Sequence, residues 1–338
     1  SAAAAFLHAD PEHTVFVPNA TTAVNTVLAS MEHPAGSALA TTDHVYPAVL
    51  NTLRVLCEQR GWRLDVLHAP LPTVGTSADD AEAMLTSAVM DRLADDVRML
   101  VLDEVASPTG LIFPVPSIVR LCRERGVMTL IDAAHSPGML DVHLDMTRDD
   151  APDFWTGNFH KWVFSPRGSA GLCFRPEHAS RTRPLVTSLF HGRGPFDEFM
   201  WTGTFDPTAW LTVPAGIDFY ERCGGGSVRE HNNALVRTGQ QIVQKAVQTE
   251  LPIADDPSLY ASLGLVEIPH EFGIREPAGT HRMMDALFET YRVEVPFTYW
   301  HDRTFVRLSA QVFNAADEYQ RLADVLPEFL RTHREQWQ

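Results

Sequence analysis

Val127-Met128-Thr129-Leu130-Ile131-Asp132-Ala133-Ala134-His135 is the stretch on which the reading of this chain turns. Val127 to Ile131 is a short apolar run that reads as a strand buried on both faces, and it stops abruptly at an acid. A similar event follows downstream. A strand expected over Asp153 to Thr156 runs into Asn158-Phe159-His160-Lys161-Trp162, which brings an amine to a strand end. Either residue alone reads as an ordinary group at the surface end of a strand. A carboxylate and an amine at successive strand ends describe one cleft lined by both.

Outward from that stretch, short apolar runs alternate with helical periodicity from about Thr14 to Phe174. Val15-Phe16-Val17 leads into a helix predicted from Thr21 to Met31, and Ala38-Leu39-Ala40 precedes one from Ala48 to Gln59. Leu64-Asp65-Val66-Leu67 is followed by a helix through Ala81 to Leu93. The strongly apolar Val97 to Leu102 is followed by one near Ser117 to Arg125, and Ala170 to Phe174 closes the series. Continuous apolar strands between helices predict an α/β fold with a mostly parallel sheet covered on both faces. Ligands gather at the carboxyl ends of strands in such sheets. Asn19, Ser107, Asp132 and Asn158 all fall at or just after such ends.

Beyond Phe174 the texture changes. Arg175 to Phe205 is rich in Pro, Gly, Arg and aromatic residues without a clean period, which reads as irregular loop. A helical tract follows from about Leu211 to Thr249, interrupted at Gly224-Gly225-Gly226. The remainder predicts a small α+β domain: a strand at Leu265 to Ile268, a helix near Arg282 to Tyr291, a strand at Phe305 to Ser309 and a terminal helix from Ala315 to Leu330. The expected division is a large domain over 1–212, a connecting helix over 213–249 and a small domain over 250–338.

The chain has 338 residues, too many for the usual single domain. Its 27 basic and 43 acidic residues leave a net charge of −16, which disfavours nucleic acid and anionic membranes as partners. No apolar run approaches a membrane span, and the opening Ser1-Ala2-Ala3-Ala4-Ala5-Phe6 lacks the basic region of a signal peptide. Cys57, Cys122, Cys173 and Cys223 are scattered with no CxxC pair, so no metal site or disulfide framework is expected, and the location expected is cytoplasmic.

An amine and a carboxylate in one cleft are what pyridoxal 5′-phosphate (PLP) chemistry requires. The lysine forms a Schiff base with the cofactor, and the aspartate keeps the pyridine nitrogen protonated so that the ring accepts electrons. Asn19-Ala20-Thr21-Thr22-Ala23 lies between a strand and a helix, where small residues let backbone N–H groups approach a phosphate. Alone, that stretch reads as an ordinary threonine N-cap. It also lacks the glycines of a dinucleotide-binding turn, which excludes the NAD-dependent alternative.

With these segments the chain resembles the class V aminotransferase family of fold-type I PLP enzymes, in the branch of isopenicillin N epimerases and related C–S lyases. The resemblance runs from about Thr14 to the C-terminal helix. It rests on Phe16-Val17-Pro18-Asn19-Ala20-Thr21, Ile131-Asp132-Ala133-Ala134-His135, Thr156-Gly157-Asn158-Phe159-His160-Lys161-Trp162, Trp201-Thr202-Gly203-Thr204-Phe205-Asp206 and Val306-Arg307-Leu308-Ser309. It implies a seven-stranded-type, mostly parallel sheet with a smaller C-terminal domain. It makes Lys161 the Schiff-base lysine and proton shuttle, Asp132 the partner of the pyridinium nitrogen, and His135 a neighbour of the ring hydroxyl. Ala20, Thr21 and Thr22 would cradle the phosphate with Asn158 and His160. Gly203 and Thr204 would reach it from a second subunit, which implies a homodimer with shared active sites. Arg307 would grip the substrate carboxylate.

Two positions in the resemblance have open readings. Tyr46, in Val45-Tyr46-Pro47-Ala48-Val49, stands where desulfurases place a ring-stacking histidine. It is expected to stack on the ring or to move protons, the plainer reading being core packing. Ser107, in Ala106-Ser107-Pro108-Thr109-Gly110, reads equally as a contact to the ring hydroxyl and as a turn residue. The comparable stretch of a desulfurase carries a nucleophilic cysteine, whereas Arg292 to Trp300 has none, so desulfurase chemistry is disfavoured. The family usually has a longer N-terminal arm ahead of the first phosphate-binding segment, so a trimmed chain or a reduced substrate pocket is expected. His191 and Arg193 are further pocket candidates that also read as solvated loop. The expected activity is therefore epimerase-like chemistry at the α-carbon of an amino acid. A C–S lyase or aminotransferase is the enzymatic alternative, and an inactive PLP-fold binding protein the non-enzymatic one.

Overall fold

A computed structural model describes residues 1–337; Gln338, the last residue of the expected small domain, lies outside them. The strands are β1 (Thr14–Val17), β2 (Ala38–Thr42), β3 (Arg63–Leu67), β4 (Val97–Asp103), β5 (Met128–Asp132), β6 (Phe154–Asn158), β7 (Ala170–Phe174), β8 (Leu263–Ile268), β9 (Phe297–Trp300) and β10 (Arg303–Ser309). The helices up to the end of the sheet are α1 (Ala2–Phe6), α2 (Ala20–Ser30), α3 (Pro47–Arg60), α4 (Ala78–Met90), α5 (Val115–Glu124) and the single turn α6 (Phe159–Trp162). They are followed by α7 (Pro195–Met200), α8 (Thr208–Leu211), α9 (Val213–Arg222), α10 (Gly226–Val247), α11 (Gly279–Tyr291) and α12 (Ala316–His333).

The chain divides into two compact units. One comprises Ser1–Pro70, Glu82–Ser107 and Phe113–Gly226; the other comprises Leu71–Ala81, Pro108–Ile112 and the chain from Ser227 onward. The helical tract expected over 213–249 is two helices, α9 in the first unit and α10 in the second.

The first unit is built on a seven-stranded sheet in the order β1-β7-β6-β5-β4-β2-β3. β2, β3, β4, β5 and β6 pair in parallel, and only β7 runs against its neighbours β6 and β1. The short connection through α6 explains that reversal, since a parallel return needs a long crossover. Every residue of β6 and β7 is buried, as expected for strands covered on both faces. Register then sets the site. Asp103 of β4 is level with Asp132 of β5, and Asp132 with Thr156 of β6. The expected strand ends shift slightly, so that Asp132 and Asn158 are themselves the last strand residues.

α2 starts where Asn19, in extended conformation, accepts the Thr22 N–H, and it buries Ala23, Val24, Val27 and Leu28 along one face. α3 begins with Pro47 directly after Tyr46 and ends at Gly61, whose φ of +64° suits a C-terminal glycine. The core of this unit joins Val24 and Val27 to Met99, Val101, Leu130, Phe154 and Phe174.

The second unit has a three-stranded antiparallel sheet, β8-β10-β9. Its core packs Val243 of α10, Met283 and Leu287 of α11, and Leu326 and Phe329 of α12 against Val266 and Val306. β9 and α1 were not expected from the sequence. The segment expected as irregular from Arg175 to Phe205 contains the short helix α7. No helix among the described residues is long and apolar enough to cross a membrane.

Candidate active site

The carboxyl edge of the sheet in the first unit holds a cavity of about 170 Å³. Its lining brings together Ala20, Thr21, Tyr46, Ser107, Asp132, His135, Asn158, His160 and Lys161, all expected from the sequence. Asp103 and Val105 join them from the end of β4.

Lys161 reaches this cavity because β6 ends and α6 begins at once, so its side chain leaves a single rigid turn. Its Nζ lies 2.9 Å from Nε2 of His135, in the loop after β5. The other ring nitrogen of His135, Nδ1, accepts the indole N–H of Trp162 at 3.3 Å. Asp132 is 3% exposed and accepts the Ala134 N–H at 3.0 Å. Burial pushes its carboxyl above the usual range, opposed by that N–H and by Lys161 whenever its amine is charged.

Asp103 is pushed higher still, first by burial and then by the Asp132 charge, against the amides of Tyr46 and Ser107 and the charge of Lys161. Its Oδ2 accepts the Tyr46 N–H at 3.2 Å. Of the two, Asp103 is the more strongly driven towards its neutral form, by burial and by the Asp132 charge beside it. Partly buried Glu104 is also raised by burial, opposed by the neighbouring Ser136 and by the Trp155 indole N–H, which donates to it at 3.3 Å. His160 is lowered, mainly by burial, and its Nδ1 lies 2.8 Å from the Ser169 carbonyl. Burial therefore disfavours its charged form.

The start of α2 is partly occupied by protein groups. Asn19 Oδ1 accepts the Thr22 N–H at 2.8 Å, and Asn158 Oδ1 accepts the Ala20 N–H at 2.9 Å. The N-cap is thus Asn19, not a threonine. Thr21 and the side-chain NH₂ of Asn158 are what this corner offers an anion. The donor set fits PLP: an amine for its aldehyde, a buried carboxylate for its ring nitrogen, and a helix N-terminus for its phosphate.

Other expected residues lie outside the cavity lining. Thr22 faces Asn19. Gly203 and Thr204 lie in the turn between α7 and α8, Gly203 with φ of +112°. Arg193 packs over the Phe190 ring at 4.7 Å, and His191 stands 3.9 Å from Glu198. Arg307 lies on β10 of the second unit, paired in register with Leu265. Cys57, Cys122 and Cys173 are buried and Cys223 is exposed; none lines the cavity.

Sequence reasoning missed Asp103 and Trp162. Leu100-Val101-Leu102-Asp103 repeats the pattern that singled out Leu130-Ile131-Asp132, an apolar strand ending on an acid, and could have revealed the first. Nothing local marks Trp162.

A model for the aminotransferase class-V family matches residues 1–263. Among curated proteins, a putative L-cysteine desulfhydrase 1 of Oryza sativa subsp. japonica is 32% identical, over 92% of this chain and 69% of its own length. An isopenicillin N epimerase of Streptomyces clavuligerus is 30% identical, over 94% of this chain and 80% of its own. Among solved structures, a cysteine desulfurase from Thermococcus onnurineus NA1 superposes with a TM-score of 0.74 at 19% identity, covering 98% of this chain and 82% of its own.

Proposed function

We propose that this chain, which belongs to the class-V aminotransferase family and is a PLP-dependent enzyme, acts at the α-carbon of an amino acid as an epimerase. One observation carries the reading: a single cavity holds the Lys161 amine, the buried Asp132 carboxylate and the Tyr46 phenol. The bound cofactor supplies the electron sink. Asp132 holds a proton at the ring nitrogen. Thr21 and Asn158 at the start of α2, with His160 beside them, hold the phosphate, while Ser107 and His135 meet the ring hydroxyl. Arg307 takes the substrate carboxylate as a bidentate partner. Lys161 removes the α-proton, and Tyr46 returns one to the opposite face of the same carbon.

The enzyme acts as a homodimer in this reading. Leu185, Val186, Leu189, Phe196 and Leu211 are all more than half exposed, along the segment that carries Gly203 and Thr204. An apolar surface of that density suits a second copy of the chain, which would bring those two residues to its neighbour's phosphate.

A second reading has the similarity to the rice desulfhydrase in its favour, and it needs no base beyond Lys161. There the α-proton goes to Lys161 while the Cβ–S bond of a cysteine-type substrate breaks, releasing a thiol and, after hydrolysis, pyruvate and ammonia. Proton NMR of the PLP-loaded protein in heavy water, against a panel of amino acids and cysteine derivatives, separates the two. Loss of the α-proton signal with an intact skeleton and inverted chirality supports epimerisation. Pyruvate with a thiol product supports the lyase. No exchange with any substrate counts against both.

A further inference from the structure

We propose that Trp162 is a positioning residue whose indole fixes the tautomer of His135 and so keeps Lys161 an unprotonated amine. The inference rests on the reading of Lys161 as the amine that takes up PLP, because only a neutral amine attacks an aldehyde.

The protons run along three side chains. An indole nitrogen donates and never accepts. Trp162 Nε1 lies 3.3 Å from His135 Nδ1, so Nδ1 presents its lone pair to the indole. A neutral imidazole with a bare Nδ1 carries its hydrogen on Nε2. Nε2 in turn lies 2.9 Å from Lys161 Nζ, so this N–H donates and the lysine accepts. An ammonium has no lone pair with which to accept. The alternative, Lys161 donating to Nε2, would put an Nδ1–H head to head with the indole N–H inside a buried contact.

The three groups are held so that they cannot easily trade places. Lys161 and Trp162 are neighbours on the single turn α6, and Trp162 and His135 are each 7% exposed. The loop that carries His135 is clamped to the same turn at Gly138: a Cβ added there would stand 2.9 Å from the Trp162 carbonyl oxygen, and its φ is +81°. Only glycine meets both conditions, so the close approach of His135 to α6 is built into the backbone.

The charges around the amine oppose this arrangement and show why it is needed. Asp132 of β5, and Asp103 of β4 in its ionised form, lie close enough to Lys161 to favour the charged amine. His160 lies on the same turn with Arg167 beyond it, and Tyr46 completes the lining at the start of α3. Without the indole–imidazole relay the Asp132 carboxylate would favour Lys161 as an ammonium.

Trp162→Phe keeps the ring and removes the N–H. The first readout is the imidazole ¹⁵N–¹H correlation spectrum of labelled apo-protein, with His135 assigned by its loss in His135→Gln. The expected wild-type signal is the Nε2–H tautomer, and Trp162→Phe should lose that exclusivity. The second readout is the pH dependence of the rate at which apo-protein takes up PLP, followed by absorbance. The midpoint should rise by about one pH unit in Trp162→Phe, a tenfold slower uptake at a pH below both midpoints. An Nδ1–H tautomer in the wild type overturns the proposal, even if the variant does not fold. So does a variant with unchanged tautomer and midpoint. Wild-type protein that shows the expected tautomer but never binds PLP covalently supports the tautomer assignment and defeats the functional reading instead.

Discussion

Asp132 and Asp153 are both buried carboxylates, at opposite edges of the same two strands, and their environments push them in opposite directions. Asp153, just before β6, is driven up by burial. It is pulled below the usual range by His178 at 2.9 Å, the Thr129 N–H at 2.8 Å and the charge of Arg123, and it also accepts the Thr129 hydroxyl at 3.1 Å. Asp132, at the end of β5, has one backbone N–H and remains raised. The lower edge meets nearly all the hydrogen-bonding capacity of its acid and gains a strut between two strands. The upper edge leaves its acids under-satisfied, a cost in the apo-protein that a cationic ring nitrogen would offset. Burial therefore does not mark function here; burial with too few internal partners does.

The largest expected effect tests the upper edge. Lys161→Ala should cut turnover of PLP-loaded protein by about 10⁴-fold or more and remove the absorption band of lysine-bound PLP. Because Lys161 serves chemistry, the unfolding midpoint of the apo-variant should change little. Turnover retained with added PLP would defeat the assignment of this lysine, and a large loss of stability would erase the contrast between the edges.

Asp153→Ala should show the converse pattern. Removing a buried carboxylate that accepts three hydrogen bonds leaves its donors unpaired and costs about 3 kcal/mol, read as a lower urea midpoint with unchanged slope. The rate per folded molecule should stay near that of the unaltered protein, since Asp153 lies away from the cavity-lining residues. A drop in that rate at full folding would mean that the strut also positions the upper edge.

These contrasts divide what the sequence displays from what it conceals. Strands were legible as apolar runs because burial on both faces demands them, and Asp132 and Lys161 were legible because each interrupts such a run. β9, reading Phe297-Thr298-Tyr299-Trp300, was missed because it has only four residues and follows a proline, leaving no period to read. α1 was hidden in an alanine run whose buried side, Ala3 and Ala4, has no amphipathic signature. Trp162 was concealed for a different reason. Its role depends on which nitrogen of His135 it faces, and rotamers decide that, not spacing. Asn19 and Asn158 show the same limit: a sequence tells that they adjoin a helix start, but not that their side-chain oxygens already take two of its amides.

The smallest effect sharpens the comparison most, because it asks which acid of the upper edge holds the proton. Asp103 is raised in the folded protein above its unfolded value of about 3.9. Its contribution to stability is therefore complete below that value and is lost as pH rises through the folded pKa. Asp103→Asn cannot ionise, so the apo-variant should lose less stability with rising pH, the slopes differing by at most about 1.4 kcal/mol per pH unit for one proton. Urea midpoints of both apo-proteins at several pH values supply the test, with the curves meeting in acid and parting towards neutrality. Asp153 contributes with the opposite sign: its depressed pKa makes its stabilisation fade as pH falls, so it bends both curves alike and cancels in the difference. Parallel curves would mean that Asp103 ionises freely and that Asp132 keeps the proton. Asp132 would then be unable to serve as the anion beneath a pyridinium, and the upper edge would need a different partner for the ring nitrogen.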